Sequence, residues 1–140
     1  MATIKLNNGI KTYSIEDQDG NILGSVSFNP SDTQIVERYN NAVAEYNLLP
    51  EELQRLKTAS SVEKMEFLNK KAADLIDRVF GANISQTFFS IMGPFSPLDN
   101  GQYFVENVLE GLGKAFEEST GERVKKVNAK IKKHTSKYHG

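Results

Sequence analysis

Residues 80–113 constrain the fold of this chain more than any other stretch. Phe80, Phe88, Phe89, Phe95 and Phe104 fall there together with Pro94 and Pro97, between two segments of helical periodicity in an otherwise polar, lysine-rich sequence. Proline lacks the amide hydrogen and clashes inside a helix, so no single helix crosses this region. The chain must turn here, and it turns on aromatic side chains. Two readings follow. In the first, Phe80, Phe88, Phe89, Ile91 and Phe95 are core, and the prolines set a loop between helices. In the second, Phe88, Phe89, Met92 and Phe95 stay accessible and bind apolar helices of a partner, a use that suits aromatics and the flexible thioether of methionine. Core is the reading favoured for most of them.

The first thirty residues have the signature of strands. Thr3 to Leu6 alternates briefly, Ile10 to Ile15 alternates again, and Ile22 to Phe28 follows the turn-forming run Asp17-Gln18-Asp19-Gly20-Asn21. Asp-Gly accommodates the positive φ of a hairpin turn. A hairpin is expected, with a three-stranded sheet that includes the first residues as the alternative. An isolated hairpin is marginal in water, so it must lie on helices or on another chain, and an open strand edge invites subunit association.

Helical signals take over after Pro30. Ser31 or Asp32 can cap a helix carrying Ile35, Val36, Tyr39, Ala42, Val43 and Tyr46. Pro50 with Glu51 and Glu52 starts a short helix expected to run to about Ala59. Ser60 or Ser61 caps a longer one whose stripe is Val62, Met65, Leu68, Ala72, Leu75, Ile76 and Val79, with Gly81 as its C-cap. A further helix from Gln102 to Ser119 presents Phe104, Val105, Val108, Leu109, Leu112 and Phe116. Gly111 and Gly113 inside it each cost about 1 kcal/mol relative to alanine, which a close helix–helix approach would offset. The expected fold is therefore α+β and mostly α: an N-terminal β-hairpin on a bundle of four to five helices. Residues 1–121 form one domain, with the hairpin in 1–29 and helices in 31–120. Gly121 separates a basic C-terminal helix and flexible tail, 122–140.

Charge is divided along the chain. Residues 122–140 hold Arg123, Lys125, Lys126, Lys130, Lys132, Lys133 and Lys137 against Glu122, a net +6, which leaves 10 cations and 17 acids, a net −7, on the rest. Such a split can draw the basic end to an acidic partner, to the acidic body or to another copy, but only within the ~10 Å reach of screened charges. Arg123, Lys126, Lys130 and Lys133 are the cations placed at a partner surface.

Enzyme chemistry finds little to build on. The chain has no cysteine, which excludes thiolate metal sites, disulfides and cysteine nucleophiles. Its two histidines, His134 and His139, both lie in the terminal basic stretch, and the paired acids Glu51/Glu52, Asp74/Asp77 and Glu117/Glu118 read as solvated helix faces. Gly111 to Lys114 lacks the spacing of a phosphate-binding loop. No catalytic residue, metal ligand or cofactor is assigned. Nucleic-acid binding is disfavoured, because the basic stretch has a single arginine to read base edges and no interleaved aromatics for stacking. No run nears the ~18 apolar residues of a membrane span, and no signal-peptide core opens the sequence.

Phe80-Gly81, then Ser85 and Phe88-Phe89, then Phe104, Glu106 and Leu109, together with Phe28-Asn29-Pro30-Ser31-Asp32 leading from hairpin into helix, resemble the tail assembly chaperones of long-tailed bacteriophages and prophages of Gram-positive hosts. The resemblance covers residues 10–115. It implies a non-enzymatic protein of the host cytoplasm whose partners are the tape measure protein and the tail tube protein. Many copies would hold the apolar stripes of the helical tape measure protein in solution. The alternatives are a structural tail or neck subunit of the virion and, further off, a basic-tailed nucleic-acid-binding protein. The charge split adds an expectation of head-to-tail self-association. Truncation after residue 121 should then lower the oligomer mass at low salt, and an unchanged mass by light scattering contradicts it.

Overall fold

A computed structural model gives the architecture, describing the backbone of residues 1–139 and the side chains of residues 1–121. Two strands, β1 (Lys11–Glu16) and β2 (Ile22–Phe28), are followed by five helices: α1 (Thr33–Asn47), α2 (Leu49–Gln54), α3 (Ser61–Phe80), α4 (Ser85–Phe89) and α5 (Phe104–His139). The α+β, mostly helical class expected from the sequence is what forms.

The hairpin is antiparallel, with Tyr13 opposite Val26 and Lys11 opposite Phe28, and a bulge at Ile15/Glu16. Its loop is built by Asp17, whose carboxylate accepts hydrogen bonds from the backbone of Asp19 and Asn21 and from the Asn21 side-chain amide, each at 2.9 Å. Those donors hold the Asp17 carboxyl below its usual range, the Asn21 side chain most strongly. Gly20 completes the turn at φ +83°. Alternation then does its ordinary work: Tyr13, Ile15, Val26 and Phe28 face the helices, and the intervening residues face water. The third strand over Thr3–Leu6 does not form, and the sheet has two strands. Residues 1–10 carry no regular structure, and Ile4 and Leu6 are 87% and 85% exposed.

Each helix start has a local cause. Asp32 caps α1 by accepting from the Gln34 amide at 2.9 Å. Ser60 caps α3, accepting from the Glu63 amide at 3.1 Å, and its hydroxyl donates to the Glu63 carboxylate at 3.2 Å. Pro50 sits in the first turn of α2. That helix stops at Gln54 rather than near Ala59, and turns bonded Arg55–Glu52, Leu56–Leu53 and Ala59–Leu56 fill the gap. Gly81 ends α3 in the left-handed conformation, φ 66° and ψ 25°, as its sequence position suggests. The break expected at Gly121 is absent, since α5 carries helix through it.

Helix α1 packs along α3, and α4 sits against both α3 and β2. The core joins Val26 and Phe28 to Ile35 and Ala42 of α1, Ala72 to Val79 of α3, Phe88 of α4, and Val105 to Phe116 of α5. Phe28 is its aromatic centre. Its ring stacks on Tyr13 at 4.8 Å and meets Phe80 at 5.2 Å and Phe116 at 5.7 Å edge-on.

The two glycines of α5 have different reasons to exist. A Cβ on Gly113 would lie 2.5 Å from the Tyr39 hydroxyl, which is pinned by its 2.8 Å hydrogen bond to the Leu109 carbonyl. Close approach of α1 to α5 thus requires Gly113. A Cβ on Gly111 would meet nothing within 4 Å. Gly113→Ala should destabilise the fold by about 1–2 kcal/mol through overpacking, whereas Gly111→Ala should stabilise it by about 1 kcal/mol; urea denaturation of both variants checks the opposite signs.

Candidate functional site

Most of the aromatic hinge is structural. Phe88 is buried, Phe89 meets Phe104 edge-on at 6.3 Å, and Phe95 meets Tyr103 in the same manner at 5.6 Å. The connection from α4 to α5 is tied down by backbone bonds. The amides of Phe104 and Val105, which have no partner inside α5, donate to the carbonyls of Ser96 at 3.0 Å and Pro94 at 2.8 Å. Tyr103 donates its amide to the Glu106 carboxylate at 2.7 Å, and Pro97 bridges to Tyr103. The loop is therefore a clamp on the start of α5. Met92 and Tyr103 stand out from it, 39% and 45% exposed.

Asp77 fixes the other end of the hinge. It accepts from the backbone amides of Ile84 at 2.9 Å and Ser85 at 2.7 Å, and from the Ser85 hydroxyl at 3.0 Å. An acid that reads as part of a solvated pair in sequence is thus the anchor of the α3–α4 turn. The spacing of seven and eight residues to its partners, across a glycine, gives no local signal in the sequence.

Among the described residues, two apolar grooves stand open on this frame. The larger, about 560 Å³, lies where α3 outruns its neighbours. Its walls are Tyr46 of α1, Leu49 and Leu53 of α2, Met65 and Leu68 of α3, and Phe95 with Tyr103 from the hinge. Of the sequence-proposed partner residues, Phe95 lines this groove. Val62, Met65 and Tyr103 leave 67%, 47% and 45% of their surface in water. The groove has a single charged wall residue, Glu106, which accepts a hydrogen bond from the Tyr46 hydroxyl. Burial first, and then the Glu106 charge, push the Tyr46 phenol well above its ordinary range, so it stays a neutral donor. The smaller groove, about 260 Å³, runs between β1 and α5, with Val26, Phe28 and Phe88 among its lining residues.

Arg123, Lys126, Lys130 and Lys133, proposed from sequence as partner contacts, lie outside the residues whose side chains the structure describes. Tyr46, Met65 and Leu68 read as core stripes in the sequence, and Leu53 was not singled out. No signal in the sequence marked them, because a stripe on α3 does not show which of its residues the short α2 covers. Among the described residues no cluster of three or more metal-ligating side chains occurs, and no helix is long and apolar enough to cross a membrane.

Comparison with protein-family models, curated proteins and solved structures finds no match to this chain.

Since Asp77 carries three hydrogen bonds into a half-buried turn, Asp77→Ala should cost about 2–3 kcal/mol, the range for stranding buried donors. Asp74→Ala, one turn back on an exposed face, should change stability by less than about 0.5 kcal/mol. Thermal unfolding of the pair measures the contrast.

Proposed function

We propose that this chain is a non-enzymatic tail assembly chaperone of a long-tailed bacteriophage or prophage. Acting in the host cytoplasm, it binds apolar helical stretches of the tape measure protein, keeps them in solution and assists assembly of the tail tube. The observation that carries the reading is the α2–α3 groove. It is an open apolar channel between helices, walled by methionine, leucine and aromatic side chains, on a frame held rigid by the α4–α5 clamp. An amphipathic helix inserts apolar residues at i, i+3, i+4 and i+7 into such a channel. Methionine and aromatic walls adapt to varied client side chains, which a chaperone of a long client requires. The arrangement of Phe80-Gly81 at the end of α3, a short α4 bearing Phe88 and Phe89, and a following helix supports the resemblance on which the client assignment rests.

A structural tail or neck subunit is the second reading, favoured by the exposed apolar residues of the 1–10 segment. The two differ in fate, because a structural subunit is retained in purified particles and a chaperone is not.

Co-expression with the tape measure protein tests the proposal. Size-exclusion chromatography with light scattering should show a soluble complex with several copies of this chain per client, where the client alone aggregates. Met65→Glu puts a charge on the groove wall at an already exposed position, so folding should be retained while client affinity falls about tenfold or more. A client that stays insoluble with the native chain, or a complex indifferent to Met65→Glu, refutes it.

A further inference from the structure

The smaller groove has the shape of a strand-addition site. Its hairpin wall holds four consecutive residues of β1, Tyr13 to Glu16, beside Leu23, Val26 and Phe28 of β2, and consecutive residues of one strand share a cleft where the edge of that strand borders it. Among the described residues β1 pairs with β2 alone, which leaves its other edge without a strand. The opposite wall is α5, where Asn107, Gly111 and Ala115 succeed one another at one-turn spacing. Gly111 has no partner within 4 Å of a Cβ, so packing inside the chain does not explain its presence in a helix. A backbone passing close to α5 does.

The chain holds one extended segment of matching character. Thr3 to Leu6 is four residues long, as is the open wall, and alternates so that Ile4 and Leu6 share a side, both almost wholly in water. Its Lys5 is opposite in sign to Glu16 on the groove rim. An elbow keeps this segment away from its own hairpin. Asn7 and Asn8 accept from the amides of Gly9 at 2.9 Å and Ile10 at 3.1 Å, and the Asn29 amide donates to the Asn8 carbonyl at 3.0 Å. Gly9, at φ 66°, is packed so closely that a Cβ would lie 2.7 Å from Asn29. Folding back through Asn8-Gly9 as a two-residue hairpin turn would need positive φ at Asn8, in type I′ and type II′ alike. Asn8 has none, because every positive-φ residue described is glycine.

We propose that residues 3–6 of one copy add as a strand to the β1 edge of a second copy, with Ile4 and Leu6 entering the groove against Gly111. Repeated from copy to copy, this contact is heterologous and builds a chain or ring. It rests on the hairpin and α5 alone and is independent of the client reading.

The absence of cysteine makes the test direct. Leu6→Cys and Gly111→Cys are made in separate full-length chains, one enlarged by a tag, and the mixture is treated with a short bis-maleimide. A mixed dimer should be the main product, and it should be lost when Ile4→Asp is added to the Leu6→Cys chain. Mixed dimer no more abundant than with Ile4→Asp overturns the proposal. So does a double variant, Leu6→Cys with Gly111→Cys, that closes only within single chains even when concentrated. Light scattering supplies the second readout. The native chain should exceed the monomer mass and Ile4→Asp/Leu6→Asp should return to it with an unchanged circular dichroism spectrum; equal masses for the two contradict the proposal.

Discussion

Burial of the Phe28 ring is the contact on which the rest of the structure depends. A two-stranded hairpin has no independent stability in water, and this one has a single buried aromatic at its base, 4% exposed. Through that ring the hairpin reaches Tyr13 on its own first strand, Phe80 at the end of α3 and Phe116 on α5. Side chains far apart in sequence thus share one centre. Phe116 passes the link on to Tyr39 at 5.0 Å, and Tyr39 seats against Gly113. An aromatic cluster of this kind contributes apolar burial of about 1.5–3 kcal/mol per side chain and adds preferred ring geometries that fix orientation.

With hairpin, α1, α3 and α5 joined at that point, the two grooves follow from unequal lengths. Helix α3 has 20 residues, while α2, the helix beside its first turns, has six. The apolar stripe of α3 therefore continues past its cover, leaving Val62 and Met65 outside and Leu68 half-covered. The hairpin covers α5 only partly, and β1 borders the groove that Gly111 lines. Both features put unspent apolar surface next to rigid backbone, which is the physical form of a site for other chains.

Much of this was legible in the sequence where the cause is local. Asp32, Ser60, Gly81 and the Asp17–Asn21 loop announce their roles because capping and turn chemistry act over two to four residues. The core stripe from Ala72 to Val79 was equally plain from periodicity. What the sequence concealed depends on partners far along the chain. Thr3 to Leu6 alternates like a strand yet has no neighbour to pair with in its own chain. Val62 and Met65 continue a stripe but face water, because stripe length says nothing about the length of the covering helix. Gly121 looks like a stop signal, but one glycine costs about 1 kcal/mol in a helix, too little to end it without a capping geometry. Gly111 and Gly113 look alike in sequence, and only the position of Tyr39 separates them. Asp77 shows the same limit, since its partners lie across a turn whose shape it creates.

The central claim is that the α2–α3 groove is the surface that receives a client helix. Amide hydrogen exchange of the chain, free and in complex with the tape measure protein, addresses it most directly. The account requires added protection at 46–53, 65–68 and 95–106, the segments that wall the groove, with the exposed Asp17–Asn21 loop unchanged. Protection confined to the hairpin, or absent from the groove segments of a stable complex, would show that the client binds elsewhere.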